Sequence, residues 1–173
     1  MTNLHPQAVV LPLPSYRLIP LTRGKVAIVD EADFDWLNQW KWHTKVARGG
    51  LFYAIRAIHK YGKGRVVTRW IRMHNFVLGV ERGADHRNGD GLDNRRNNLR
   101  KATHQQNCRN QKLRIDSTSG IKGVTWCKRT GKWQVHISVN KRRRFLGRFL
   151  LREDAIAVRR AAEKRYYGEF ART

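Results

Sequence analysis

From Asp85 to Asn107 the chain reads DHRNGDGLDNRRNNLRKATHQQN, and only Leu92, Leu99 and Ala102 in it are clearly apolar. The residue types suggest a chemistry. The His86 imidazole, with an ordinary pKa of about 6.5, is neutral near physiological pH and can take a proton from water. Carboxylate and amide oxygens suit a hard cation. Arg95, Arg96 and Arg100 can hold an anionic backbone in place. Composition alone would make the same stretch a solvated loop. In either case NGDG supplies two turn dipeptides, Asp90 and Asp93 are expected to tie the loop, and His74 and His104 are expected to be structural.

The rest of the chain narrows the choice. Its 173 residues carry 36 Lys and Arg against 13 Asp and Glu, a formal net charge of +23. That length holds one ordinary domain or two to three small ones, and an apolar fraction of 40% is ample for packed cores. The basic residues are spread over the whole sequence. Such a field repels itself and is tolerated when the partner is a polyanion, because each neutralised phosphate releases counterions. No apolar run approaches the roughly 20 residues of a membrane span, and the N-terminus lacks the charged start and apolar core of a signal peptide. The expected partner is double-stranded DNA, with no membrane and no small-molecule cofactor, in a cytoplasmic, non-secreted monomer. Cys108 and Cys127 form neither a CxxC pair nor a disulfide framework, so no zinc is expected. An oxygen-held Mg²⁺ (or Mn²⁺), one per site, is the metal such residues suit.

Elements that could position these groups follow from pattern. Residues 1–15 carry three of the four prolines and suggest an extended arm. YRLIPLTRGKVAIVD suggests strand, turn and strand. Asp30 stands as N-cap of a short helix whose Phe34, Trp36, Leu37 and Trp40 face a core. LFYAIRAIHK and RVVTRWIRM alternate like strands around YGKG, and a short helix from His74 ends at Gly79. In the polar stretch ADHR can end a strand and NLRKAT can be another. Thr103 and Gln106 then form a T-x-x-Q capping box that starts a helix at His104, with Asn107 one turn inside.

The C-terminal third suggests three strands and a helix: GVTWCK, the turn RTGK, WQVHISV, a basic turn NKRRR, FLGRF, and REDAIAVRRAAEKRYY closed by Gly168. Trp133, Val135, Ile137 and Val139 share one strand face, matched by a helix seam of Ala155, Val158, Ala162 and Tyr166. The other face presents Gln134, His136 and Ser138 flanked by Lys128, Arg129, Arg142, Arg143, Arg144 and Phe145. A bare basic sheet face suits the major groove.

These residues carry two resemblances. KGV, GKW, FLGRF, the acidic helix start RED, RRAAEKRYYG and EFA resemble the APETALA-type DNA-binding domain of plant ethylene-response factors, over about 50 residues. The likeness implies a sheet docked in the major groove, with Lys122 and Arg143 at DNA-contacting positions. Thr125 and Cys127 stand where that family places Arg, so only the docking mode carries over.

Residues 85–110 resemble the HNH nucleases, in the branch of phage and intron homing endonucleases where Asn replaces the last His. Asp85–His86, Asn98 at 13 positions and Asn107 at 22 carry the likeness. It implies two strands and a helix around one divalent metal, with His86 as base, Asp85 and the Asn107 carbonyl as metal ligands, and Asn98 hydrogen-bonding the strand that bears His86. It also implies the cytoplasm of a host of a phage or mobile element.

The expected architecture is α+β. A mixed platform leads into a ββα-metal motif in a nuclease region over 16–115, followed by a three-stranded antiparallel sheet packed on one helix over 116–173. The functional expectation is a sequence-targeted endonuclease that hydrolyses phosphodiester bonds. The alternative is a catalytically inactive, sequence-specific DNA-binding regulator.

Overall fold

A computed structural model describes residues 15–47, 49–62, 65–110, 113 and 119–171. Apart from Ser15, the expected N-terminal arm lies outside them, as does the boundary expected between 115 and 116. The chain is α+β, built from small antiparallel sheets and short helices. Its described residues gather into two compact units, 15–82 with 90–100 and 83–89 with 101–171. Among the described residues no helix is long and apolar enough to cross a membrane.

In the first unit β1 (Tyr16–Pro20) pairs antiparallel with β2 (Val26–Asp30). Alternation buries Ala27 and Val29 and leaves Val26 exposed. Helix α1 (Glu31–Asn38) follows with Asp30 at its N-cap, as expected. The Asp30 carboxylate does not cap the helix, however. It accepts the Arg96 N–H at 2.7 Å. Strands β3 (His43–Val46), β4 (Phe52–Gly62) and β5 (Arg65–Arg72) form one antiparallel sheet, and α2 (Met73–Val77) ends at Gly79 with φ of 63°. The sequence pattern had not shown β3. Four residues are too few for alternation to register, and pairing with the edge of β4 makes it a strand.

Leu37 and Trp42 are core, while Phe34, Trp36 and Trp40 pack half-buried around them. The Arg56 guanidinium lies 3.9 Å from the Trp40 ring centroid, and burial lowers its pKa from the ordinary arginine value. The tryptophans are spent on packing, as expected.

The second unit begins with β6 (Ala84–His86), and β7 (Leu99–Lys101) carries the chain from the first unit into the second. Helix α3 (His104–Asn110) precedes a sheet of β8 (Val124–Cys127), β9 (Lys132–Val139) and β10 (Arg142–Phe149), in the order β10-β9-β8. Helix α4 (Arg152–Tyr167) covers one face. Val124, Val135 and Ala155 pack at one end, and Ile137, Ala162 and Tyr167 at the other.

Two expectations are corrected here. NKRRR is not a five-residue turn. Asn140 and Lys141 alone take positive φ, 50° and 63°, which closes a two-residue hairpin and starts β10 at Arg142. The helix seam also differs: Arg159 and Tyr167 are buried, while Val158 and Tyr166 are only half-buried. Arg159 reaches the sheet by donating to the His136 carbonyl and to Glu163 Oε1, and Tyr167 Oη donates to the Ser138 carbonyl at 2.9 Å. Long polar side chains can satisfy edge carbonyls where alanine cannot.

Gly123 explains why the sheet entry is tight. Its φ is 74°, and a Cβ there would clash with the His136 carbonyl and lie 2.8 Å from Arg159 Nη1. Gly131 has φ of 58° but open space around it. Both Ala substitutions carry the left-handed backbone cost of about 1–2 kcal/mol. Gly123→Ala adds overpacking of about 1–3 kcal/mol, so it should lower the thermal unfolding midpoint clearly more than Gly131→Ala.

Candidate functional site

Between β6 and β7 the polar stretch is a run of turns tied to β2 by one isolated parallel bridge, Ile28 to Asp93. In the first unit, residues 90–100 run along β2: Ile28 N–H donates to the Leu92 carbonyl at 2.9 Å, and Asn94 N–H returns a bond to the Ile28 carbonyl at 2.7 Å. Gly91 fits closely, since a Cβ there would lie 2.6 Å from the Tyr53 ring. Asp90 Oδ1 accepts the Leu92 N–H at 3.0 Å, so it ties the turn as expected.

The arginines of this segment are engaged by carboxylates. Arg95 donates to Asp93 at 2.8 and 2.7 Å, and Arg96 donates to Asp33 through two bonds of 2.7 Å. These hydrogen bonds, with charge attraction behind them, raise both guanidinium pKa values against the opposing effect of burial. Both Asp93 and Asp33 are buried, so each fork compensates a carboxylate taken out of water. Arg100 is itself buried. The three arginines expected to hold a DNA backbone thus include two that brace the first unit and one drawn inside.

Asn98 is buried and Asn97 exposed, so of the adjacent pair it is Asn98 that the fold engages. Its Nδ2 donates to the Asp93 carbonyl at 2.8 Å, within the first unit.

The second unit brings together Asp85, His86 and Asn107. Ala102 N–H donates to the Gly83 carbonyl at 2.6 Å at the foot of β6, and Asp85 and His86 follow, each only 5% exposed. The capping box forms as expected. Thr103 N–H donates to Gln106 Oε1 at 2.8 Å, and Gln106 N–H donates to Thr103 Oγ1 at 3.3 Å. That start sets the phase of α3 and turns Asn107 towards β6, where its Nδ2 donates to the Ala84 carbonyl at 3.4 Å.

One turn further, Asn110 is a residue that the sequence reading missed. It is buried, and its Nδ2 donates to both Asp85 oxygens, at 3.2 and 3.1 Å, and to the His86 carbonyl at 2.6 Å. The signal was available: Asn107 and Asn110 are three residues apart and share a helix face. His104 lies on the exposed side, 3.6 Å from Cys108 Sγ, and His74 packs edge-on to Tyr53 in the first unit.

The donor set fits a hard cation in kind. Asp85 has carboxylate oxygens aligned by Asn110, and Asn107, with its nitrogen turned to Ala84, has Oδ1 as the atom that could ligate a cation. Among the described residues, no group of three or more His, Cys, Asp or Glu side chains could hold a metal. One carboxylate and one amide would therefore depend on phosphate oxygens and waters to complete a shell.

The same unit carries the sheet face left bare by α4. The register pairs Thr125 with Gln134, Phe145 with His136 and Arg143 with Ser138, and paired residues share a side. His136 and Phe145 lie with ring centroids 5.2 Å apart, and Arg148 is 5.6 Å from the Phe145 ring. Burial first, then the neighbouring Arg143 charge, holds the His136 pKa below its ordinary value, so the ring is neutral at pH 7.

Two residues expected on this face are elsewhere. Arg142 and Arg144 pair with Val139 and Ile137, which places them on the helix side, where Arg144 lies over Tyr166 at 5.6 Å. A strand that starts at Arg142 fixes that parity. Lys122 Nζ donates to the Arg109 carbonyl at 3.2 Å, and the Arg109 guanidinium sits 4.5 Å from the Tyr167 ring. With the Arg87–Glu169 ion pair at 2.9 Å, these contacts join β6 and α3 to the sheet-and-helix body. Lys128 and Arg129 lie exposed in the turn after β8.

No protein-family model matches the chain. Over 89 residues, 51% of this chain and 72% of the relative, it is 33% identical to Protein 3.8 of Escherichia phage T7.

Asn110 gives a direct test of how the cluster is held. Asn110→Ala leaves the buried Asp85 carboxylate short of a donor and should cost about 1–3 kcal/mol in thermal or denaturant unfolding. Asn110→Asp adds a like charge and should cost more. Asn107→Ala, which loses one long bond, should cost less than either.

Proposed function

The chain belongs to the family of Protein 3.8 of Escherichia phage T7, and from that premise we propose that it is a metal-dependent HNH DNA endonuclease of the homing or mobile-element type. It would work in the cytoplasm of a phage host. The reading rests on one observation: a buried Asp85–His86 pair on a short strand is gripped by two amides of a capped helix, in a protein of net charge +23.

In this reading His86 removes a proton from the water that attacks the phosphorus, while the bond from phosphorus to the leaving sugar oxygen breaks. Asp85 and the Asn107 Oδ1 would hold the Mg²⁺ or Mn²⁺ ion. When bound, the ion supplies positive charge against the charge that develops on the leaving oxygen. Asn110 aligns the Asp85 carboxylate and anchors the His86 backbone, so both groups meet the substrate without reorganising. Asn98 keeps the turn at Asp93 in shape. The bare face of Thr125, Gln134, His136, Ser138, Arg143 and Phe145 docks in the major groove of duplex DNA.

Supercoiled plasmid incubated with the protein and Mg²⁺ should be nicked or cut, and EDTA should stop the reaction. His86→Ala should slow it by about 10²–10⁴-fold while DNA binding on a gel is kept. If wild type and His86→Ala both shift the plasmid and both leave it intact, the protein is a DNA-binding regulator instead. Arg143→Ala should weaken binding and reduce the slope of log affinity against log salt by about 0.9, the loss of one phosphate contact.

A further inference from the structure

The first unit carries a surface that this reading does not use. Strands β4 and β5 are longer than the sheet they belong to, because β3 pairs only with Phe52–Ile55. Beyond that point the two strands continue alone, from Ile58 paired with Arg69 out to Gly62 paired with Arg65. Residues 59–62 and 65–70 are exposed throughout, on both faces of the ribbon.

Isolated two-stranded ribbons are marginal in water, and an apolar one invites association. This one leaves Tyr61 81% exposed, with Val66, Val67 and Trp70 each more than half exposed. The register sorts its side chains. His59, Tyr61, Val66, Thr68 and Trp70 share one face, while Lys60, Arg65, Val67 and Arg69 share the other. Between Phe52 and Arg72 the sequence has no Asp or Glu, and among the described residues of that span Arg69 is ion-paired, with Glu81 at 2.7 Å.

We propose that the β4–β5 ribbon is a second duplex-DNA contact, inserted in the major groove with the Tyr61–Val66–Trp70 face towards the base edges. A two-stranded ribbon fits that groove, where apolar side chains can meet thymine methyls. The long stems of Lys60 and Arg65 reach sideways to the flanking phosphates. The charge argues against a second copy as the occupant, since two chains of net charge +23 repel one another while a polyanion is attracted. The inference rests on DNA as the partner but is independent of the His86 site and of the C-terminal sheet.

The test is titration of the full chain into a fluorescein-labelled, mixed-sequence duplex over a range of salt. Lys60→Ala/Arg65→Ala should reduce the log–log salt slope by nearly 2, and Lys60→Arg/Arg65→Lys should restore it. Tyr61→Ser and Trp70→Ser should each weaken binding several-fold. Every altered side chain is exposed, so unfolding midpoints should stay within a few degrees of wild type. If Arg143→Ala weakens binding while the ribbon variants bind like wild type, the ribbon inference fails and the DNA reading stands. If wild type binds no duplex, both fail. If the Tyr61 and Trp70 variants change the sedimentation of the protein and leave DNA affinity alone, the ribbon is a protein-docking surface and the inference is overturned.

Discussion

A carboxylate taken out of water must be met by donors, and the polar middle of this chain is organised around that requirement. Asp33, Asp85 and Asp93 are all nearly inaccessible. Arg96 answers the first through a bidentate fork, Asn110 reaches both oxygens of the second, and Arg95 grips the third. In the first unit Arg96 fastens residues 90–100 to α1 through Asp33 and to β2 through Asp30, while the Arg95–Asp93 pair stiffens the segment itself. In the second unit the Asn110 bond holds α3 on β6, and the candidate chemistry depends on that contact. Besides these donors, the segment is anchored only by a few apolar residues, Leu99 in the core and Leu92 packed against it.

The net charge of +23 has to be discounted accordingly. Arg95, Arg96, Arg56 and Arg159 are absorbed by carboxylates, aromatic faces or carbonyls inside their own unit. Lys122 holds the Arg109 carbonyl rather than facing outward alone. Exposed basic residues include Arg143 and Arg148 on the outer sheet face, Lys128 and Arg129 on the turn, and Lys60 and Arg65 on the β4–β5 ribbon. Charge count therefore raises the expectation of a polyanion partner, while burial and pairing say which residues stand exposed to meet one.

Position by position, legibility tracked the range of the interaction. The capping box at Thr103 and Gln106, the three C-terminal strands and the Asp30 helix start are local, spanning a few residues, and each could be read in advance. The parity of β10 could not, because a two-residue turn and a five-residue turn differ only in backbone dihedrals at Asn140 and Lys141. That difference moved Arg142 and Arg144 to the other face of the sheet.

By itself, then, the sequence determined the α+β pattern and singled out the constellation Asp85, His86 and Asn107, because periodicity and spacing are written along the chain. Only the tertiary structure decided which polar residues are structural. Asn110 became part of the cluster, and Arg95 and Arg96 became braces, through partners that folding had to bring up. The carboxylate Arg96 grips, Asp33, lies 63 positions away, and the carbonyl that receives Asn110 belongs to His86, 24 positions away. A hydrogen bond across such a separation leaves no mark in local composition, since either residue alone looks like any solvated side chain.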